Sequence, residues 1–240
     1  MRFAAPKLRP ATVVELVGPP GAGKSSVFRA LRTSLANIEA PPDIEELGWA
    51  PLIENVPPVL GTLIARGAIR CLTPAQLRVM VYLRALSRIV ERAAPGSGSV
   101  FVFDQGPLYL LNRPRLLDER LATWREEMFQ TWASLLDAVF WLDAPDAVLV
   151  ERIDGRSDWH RLKGAPLATA LDSFEKTRAV HEEALSRLEA LADGPVILRF
   201  DTSRASPDAI ADAIDHALNG AAPIPDAASS PPAAPSKTRA

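Results

Sequence analysis

The strongest fold signal in this chain of 240 residues is Thr12-Val-Val-Glu-Leu-Val-Gly18-Pro-Pro-Gly-Ala-Gly-Lys24-Ser25. The segment from Thr12 to Val17 is apolar nearly throughout, which predicts a buried parallel strand. From Gly18 onward the sequence matches the pattern G-x-x-x-x-G-K-[ST] in full. A helix is predicted from about Gly23 to Ala36, because its apolar residues recur on one face. A glycine-rich turn therefore connects a buried strand to an amphipathic helix.

The residue types in this turn suit the binding of a triphosphate. Glycines let backbone N–H groups turn inward and approach phosphates closely, and the helix start adds partial positive charge. Lys24 can reach the β- and γ-phosphates, and the Ser25 hydroxyl suits Mg2+. A turn without a ligand would explain the glycines but not Lys24-Ser25 at this offset. We therefore predict ATP and Mg2+ as cofactors, with phosphate contacts from Gly18, Pro19, Pro20, Gly21, Ala22, Gly23, Lys24, Ser25 and Ser26.

A second strand is predicted from Ser99 to Phe103, and it ends in Asp104. An apolar strand that ends in a carboxylate is typical of a Walker B element. Asp104 is expected either to hold Mg2+ or to accept a proton from a substrate hydroxyl. The alternative is an Asp that caps the turn before Gly106-Pro107. Gln105, which follows directly, is a candidate hydrogen-bonding partner of the acceptor.

A basic segment, Arg152-Ile-Asp-Gly-Arg156-Ser-Asp-Trp-His160-Arg161-Leu-Lys163-Gly164, follows a third predicted strand. Arg152 and Arg156 share a helix face if the helix extends that far. We predict a mobile lid at about residues 155–164, whose cations stabilise a transferring phosphoryl group. The alternative is a solvated basic loop. The candidate catalytic residues are Lys24, Asp104, Arg152 and Arg156.

The rest of the chain alternates helices and strands, which predicts a parallel sheet covered on both faces. Residues 37–61 are rich in proline and are expected to be irregular, with at most a short strand and a short helix. Residues 1–10 are treated as an extension and residues 219–240 as a disordered tail. The other predicted strands are 138–142 and 196–200, and the other predicted helices are 73–93, 117–136, 145–154, 167–191 and 206–218.

Composition restricts the classes of partner. The formal net charge of -2 gives no overall attraction to nucleic acid or to an anionic membrane. No run approaches the roughly 18 apolar residues of a membrane span, so a cytoplasmic monomer or homodimer is expected. The only cysteine, Cys71, is expected to be buried and inert. His181, beside two glutamates in a predicted helix, is expected at the surface.

The order of these motifs resembles the nucleoside and nucleotide kinases of the thymidylate-kinase-like group. The resemblance covers about residues 11–218 and includes the segments Leu142-Asp143-Ala-Pro145 and Asp201-Thr-Ser. It implies an α/β three-layer sandwich with a five-stranded parallel sheet of order 2-3-1-4-5, the P-loop NTPase fold. It also implies that Arg152 and Arg156 contact ATP phosphates and that residues 201–204 lie beside the adenine.

By the same resemblance, the small-molecule acceptor lies between residues 38–70 and the helix at 74–93. Its candidate contacts are Glu39, Arg84, Arg88 and Gln105. Thymidylate kinases have an Arg after the strand Asp, where this chain has Gln105, and the Glu-Arg-Ser of deoxynucleoside kinases is also absent. The acceptor is therefore left open between a nucleoside or nucleotide and an unphosphorylated alcohol.

Three other functions are compatible with a P-loop. A GTPase is disfavoured, because the chain has no Asn-Lys-x-Asp motif and Asp104-Gln-Gly-Pro does not match a switch sequence. An ATPase or regulatory module without an acceptor would need no lid that excludes water. A kinase acting on a sugar, a nucleotide-sugar or an antibiotic remains open, and the acidic stretch from Asp43 to Glu46 would suit such an acceptor.

Overall fold

The computed structural model describes residues 11–35, 37–65, 72–93 and 99–218. These residues contain a five-stranded sheet of order β2-β3-β1-β4-β5, in which every recorded pairing is parallel. The predicted strand order, 2-3-1-4-5, is confirmed. The strands are β1 (Thr12–Val17), β2 (Ile38–Glu39), β3 (Val100–Phe103), β4 (Ala138–Asp143) and β5 (Val196–Asp201).

Helices cover both faces of the sheet. Within the described residues they are α1 (Lys24–Ser34), α2 (Trp49–Ala65), α3 (Pro74–Arg92), α4 (Pro107–Leu111), α5 (Ala122–Leu135), α6 (Asp146–Asp154), α7 (Leu167–Glu189) and α8 (Pro207–Leu218). Two 3-10 turns, Pro114–Leu116 and Glu119–Leu121, precede α5. The predicted start of α3 is confirmed, since Thr73 and Gln76 form a capping box around Pro74.

Strand β1 separates the two hydrophobic clusters of the core. Its side chains alternate between the two faces of the sheet, as in any strand. Val13 and Val17 join the cluster formed with α2, α3 and α5, whereas Val14 and Leu16 join the cluster formed with α1, α6 and α8. The chain is thus a three-layer sandwich with β1 at the centre of the sheet.

The short strand allowed within residues 37–61 is present as β2, but the prediction of at most a short helix in an irregular region was wrong. Helix α2 is 17 residues long and contains Pro57 and Pro58 in its interior. Each proline removes a backbone donor, which disfavours a helix. Val59 and Leu63 are nevertheless buried in the cluster that α2 shares with α3. Burial of this apolar face stabilises the helix despite the prolines, because packing outweighs local propensity.

The predicted helix at 117–136 is shorter than expected. Asp118 accepts a hydrogen bond from the backbone of Arg120 and caps a 3-10 turn, so α5 begins only at Ala122. The short helix α4 was not predicted at all.

The prediction of a surface His181 was also wrong. Only 5% of the residue is exposed, its ring packs on Trp141, and burial lowers its pKa. Its Nδ1 pairs with the carbonyl of Thr177.

Some predictions fall outside the described residues: Cys71, the extension 1–10 and the tail 219–240. None of the helices in the described part of the chain combines the length and apolarity that crossing a membrane requires.

Candidate functional site

The ends of the parallel strands bring the predicted site residues to one edge of the sheet. Gly18 follows β1, Asp104 follows β3, Asp143 ends β4 and Thr202 follows β5. In open α/β sheets, ligands bind outside the carboxyl ends of the strands. The candidate site is therefore built around the carboxyl edge of β1, β3, β4 and β5.

The P-loop packs tightly against the end of β4. Gly18 has φ 149, and a Cβ at this position would lie 2.0 Å from the carbonyl oxygen of Leu142. Gly23, the N-cap residue of α1, has φ 86, a left-handed conformation that favours glycine. The first N–H groups of a helix have no acceptor within the helix, so the start of α1 offers donors to an anion.

Lys24 bends back over this loop. Its Nζ donates to the carbonyl oxygens of Gly18, at 2.8 Å, and Pro19, at 3.0 Å. Burial is the largest effect on the Lys24 ammonium, and together with the nearby guanidinium of Arg156 it lowers the pKa of Lys24 to about 8 against the opposing effect of Asp104 and Asp143. The ammonium is thus a cation in a desolvated position, where a phosphate oxygen would interact strongly with it.

Ser25 and Asp104 form a direct contact across the site. The Ser25 hydroxyl donates to Oδ2 of Asp104 at 2.7 Å. The other carboxylate oxygen, Oδ1, is buried and has no hydrogen-bond partner. A buried oxygen without a partner is costly unless something else satisfies it.

This donor set fits Mg2+. A hydroxyl and a carboxylate are hard oxygen ligands, and Oδ1 is available to a cation or to its bound water. Among the residues that the structure describes, no group of three or more His, Cys, Asp or Glu side chains could hold a metal alone. Mg2+ usually takes one or two carboxylates together with phosphate oxygens and waters, so a pair of protein ligands is sufficient.

Arg152 joins three parts of the site. Its guanidinium donates to Oγ1 and to the carbonyl oxygen of Thr202, both at 2.8 Å, and to the carbonyl oxygen of Gly21 at 3.4 Å. Thr202 in turn donates its N–H to the carbonyl of Asp143. Arg152 therefore links α6, the P-loop and the segment after β5. Its predicted contact with ATP phosphates stays a prediction, since that contact would require some of these bonds to change.

The lid segment, residues 155–164, is anchored near its C-terminal end. Leu162 is buried in the core, and Gly164 donates its N–H to the Asp154 carboxylate at 2.9 Å. Trp159, in contrast, is 87% exposed, and Arg156 is exposed as well. Arg156 nevertheless lies near enough to Lys24 to affect its pKa. Closure of this segment over a substrate stays a prediction.

Sequence reasoning missed an ion-pair cluster beside the P-loop. Arg178 on α7 donates to both carboxylate oxygens of Asp143, at 2.8 and 3.0 Å, and to Asp146 at 2.6 Å. These carboxylates raise the pKa of Arg178, even though burial acts in the opposite direction. A bidentate pair fixes both position and orientation. The position of Asp143 at a strand end was the available signal, but its partner is distant in sequence.

The predicted acceptor contacts lie in different surroundings. Gln105 is exposed next to Asp104, and Nε of Arg84 is buried without a hydrogen-bond partner. Arg88 is half-buried on the same helix. Glu39 instead accepts a hydrogen bond from Ser99 at 2.6 Å, at the end of β3 opposite to Asp104. Its predicted contact with the acceptor therefore has the least support.

Comparison with solved structures identifies this architecture. The Bacillus subtilis YorR protein, crystallised in complex with phosphorylated GDP, is 19% identical, with a TM-score of 0.50 over 87% of this chain and 96% of that chain. The chain shares the fold of this protein, a P-loop α/β sandwich with a five-stranded parallel sheet. Deoxyadenosine kinase from M. mycoides is another similar structure. Its complex with dCTP is 18% identical, with a TM-score of 0.49 over 87% of this chain and 99% of that chain.

A second structure of that kinase, with dCMP and dCDP bound as products, is 16% identical, with a TM-score of 0.48 over the same shares of the two chains. No protein-family model and no curated protein matches the chain. The similarity to the nucleotide kinases therefore concerns the fold.

Proposed function

We propose that this chain is an ATP-dependent phosphotransferase that moves the γ-phosphoryl group to a hydroxyl or phosphate of a small acceptor, most readily a nucleoside or nucleotide. One observation carries the proposal: the Lys24 ammonium lies over the P-loop, and the hydroxyl of the next residue, Ser25, contacts the Asp104 carboxylate at 2.7 Å. Phosphoryl transfer needs cations around the transferred group and a carboxylate beside it.

The roles follow from the geometry. Backbone N–H groups between Gly21 and Ser26 and the Lys24 ammonium hold the β- and γ-phosphates. Ser25 and Asp104 would hold Mg2+, which would neutralise charge on the phosphates. Arg156 approaches the transferred group from the lid segment. The free Oδ1 of Asp104 is available either to Mg2+ or to the proton of an acceptor hydroxyl.

Two features favour transfer to an acceptor over simple hydrolysis. The first is an exposed segment bearing Arg156 and Trp159 next to the phosphate site, which can exclude water if it closes. The second is Arg84 on α3, the helix expected to border the acceptor, because its buried Nε has no hydrogen-bond partner. An arginine suits a phosphate or a polyhydroxyl group. YorR, which binds phosphorylated GDP, is an example of this fold with a nucleotide ligand.

The test is transfer of labelled phosphate from ATP to a panel of acceptors. The panel contains nucleosides, nucleoside monophosphates, sugars, nucleotide-sugars and aminoglycoside antibiotics, with a reaction lacking acceptor as baseline. Lys24→Ala should lower the transfer rate by at least about 100-fold, because a cation is lost at the transferred group. Lys176→Ala is the matched control, since Lys176 only pairs with Asp172 on the surface of α7.

Stimulation by nucleosides or nucleotides supports the proposal, and stimulation by a sugar or antibiotic alone would reassign the acceptor. An ATP consumption rate that no acceptor changes would refute the kinase and favour the ATPase or regulatory alternative. Equal activity of Lys24→Ala and Lys176→Ala would place the site elsewhere.

A further inference from the structure

A carboxylic acid is buried in the centre of the sheet. Glu15 lies on β1 between apolar neighbours and is 0% exposed. Burial raises its pKa to about 8, while the backbone amides of Leu108, Tyr109 and Gly106 act in the opposite direction. Glutamate is almost never fully buried without partners, because desolvation of its charge is costly. The nucleotide site described above does not use this side chain.

The partners of Glu15 are the first free donors of α4. Its Oε2 accepts from the Leu108 N–H at 3.0 Å, and its Oε1 accepts from the Tyr109 N–H at 3.1 Å. Gly106, the N-cap residue of α4, offers no side-chain cap, and Pro107 has no N–H. Glu15 therefore does from a distant strand what an N-cap side chain does locally.

Gly106 leaves the space that this carboxylate occupies. A Cβ on Gly106 would lie 2.7 Å from Cδ of Glu15 and 2.6 Å from Cβ of Phe103. Both distances are too short for any side chain. The glutamate and the glycine are thus complementary: one supplies a remote cap, and the other lets it approach the helix.

The position of Glu15 connects the P-loop to Asp104. Glu15 is aligned with Phe103 in the pairing of β1 with β3, and Asp104 is the next residue after Phe103. The turn Asp104-Gln105-Gly106 is therefore held on one side by the sheet and on the other by α4. The same strand β1 runs directly into Gly18. One side chain thus ties the start of α4 to the strand that carries the phosphate-binding loop.

We propose that Glu15 is a positioning residue: by anchoring the start of α4, it sets where the Asp104 carboxylate stands relative to the Ser25 hydroxyl, 2.7 Å away. The consequence for Mg2+ and nucleotide rests on the proposed function, whereas the anchoring of α4 does not. Loss of Glu15 should selectively weaken Mg2+-dependent binding, and this distinguishes Glu15 from residues that only stabilise the core.

The test uses Glu15→Gln, which keeps the shape but replaces one acceptor oxygen by an NH2 group facing an N–H donor. Gly106→Ala is a second variant, which pushes on the same carboxylate from the other side. Asp118→Asn is the matched control, because Asp118 also accepts a backbone N–H but caps a turn outside the site. Full-length proteins are compared by amide hydrogen exchange and by calorimetry with ATP, each with and without Mg2+.

Both variants should speed exchange at Leu108 and Tyr109 by about tenfold or more, the scale of leaving one buried N–H donor without its acceptor. Affinity for ATP with Mg2+ should fall by about tenfold, while affinity without Mg2+ changes by less than about twofold. Asp118→Asn should change neither quantity.

Unchanged exchange at Leu108 and Tyr109, or an equal loss of affinity with and without Mg2+, would overturn the inference. If only one variant yields folded protein, that variant alone decides between these outcomes. A wild-type protein that takes up no nucleotide would instead overturn the proposed function, and the exchange rates would then decide whether Glu15 anchors α4.

Discussion

Replacement of Gly18 by alanine should destabilise the protein far more than the same change at Gly23 or Gly155. The new Cβ would lie 2.0 Å from the carbonyl oxygen of Leu142 and 3.1 Å from its carbonyl carbon. Leu142 is fully buried in β4, hydrogen-bonded to β5, so its backbone has little freedom to move. The φ of 149 adds strain that an L side chain rarely tolerates.

The magnitude follows from these two effects. Backbone strain costs about 1–3 kcal/mol, and forced overpacking costs about the same again, so the total is about 2–6 kcal/mol. Gly23→Ala isolates the strain, because φ is 86 but nothing lies within 4 Å of a Cβ there. It should cost about 1–2 kcal/mol. Gly155→Ala is the baseline, since φ is -75 and its nearest contact is 3.3 Å.

Thermal unfolding of the three variants measures this order. At about 2–4 °C per kcal/mol for a chain of this size, Gly18→Ala should lower Tm by about 4–24 °C and Gly23→Ala by about 2–8 °C. Gly155→Ala should stay within about 2 °C of wild type. If Gly18→Ala unfolds at the same temperature as Gly155→Ala, the P-loop does not pack on the end of β4, and the reasoning is refuted.

Two further predictions concern the cations of the site. The pKa of Lys24 is about 8, and a neighbouring phosphate favours its charged form, so ATP affinity should fall by up to about tenfold per pH unit as the pH rises above 8. Calorimetry should show that ATP binding takes up a proton in this pH range, and Lys24→Arg should show neither effect. A wild-type affinity that does not change with pH would contradict the assignment. Arg152→Ala should lower Tm, because it breaks the bonds to Thr202 and Gly21. Arg156→Ala should leave Tm unchanged and lower kcat by at least about 100-fold. If thermal unfolding and steady-state kinetics instead show that Arg156→Ala lowers Tm and Arg152→Ala lowers kcat, the structural role belongs to Arg156 and the catalytic role to Arg152.

The sequence predicted the elements whose signals are local. The strand Thr12–Val17 is a nearly continuous apolar run, and Lys24-Ser25 occurs at a fixed offset from Gly18, so both are readable from neighbouring residues. The start of α3 was also predictable, because Thr73 and Pro74 are a cap and a first-turn residue. The carboxyl edge of a parallel sheet then places Gly18 and Asp104 together without any knowledge of distant contacts.

The features that the sequence did not reveal depend on contacts far apart in the chain. Helix α2 forms despite Pro57 and Pro58 because Val59 and Leu63 are buried against another element. Rules based on neighbouring residues cannot predict such burial. His181 is buried because Trp141 lies beneath it. Similarly, Arg178 and Asp143 are 35 residues apart, so their pairing is visible only in the fold.

Glu15 also had a readable signal, since it is a lone carboxylate in an otherwise apolar strand. A buried charge requires a partner, so its presence predicts that polar groups lie against that face of the sheet. The identity of those groups could not be predicted, because α4 itself was not predicted. The donors are backbone amides, and backbone amides leave no trace in a sequence apart from the absence of proline.

The anchors of the site divide it into a fixed part and a free part. Glu15 holds the Asp104 turn to β1, Arg178 holds Asp143, and Arg152 holds Thr202 to the P-loop. All three anchors lie on the side that would bind nucleotide and Mg2+. Arg156 is exposed on the lid segment and Nε of Arg84 has no hydrogen-bond partner, so these are the two cations that we expect to contact the transferred group and the acceptor. A preorganised nucleotide site needs little rearrangement to bind its ligand, so conformational change on binding should concentrate at the acceptor side, where specificity is decided.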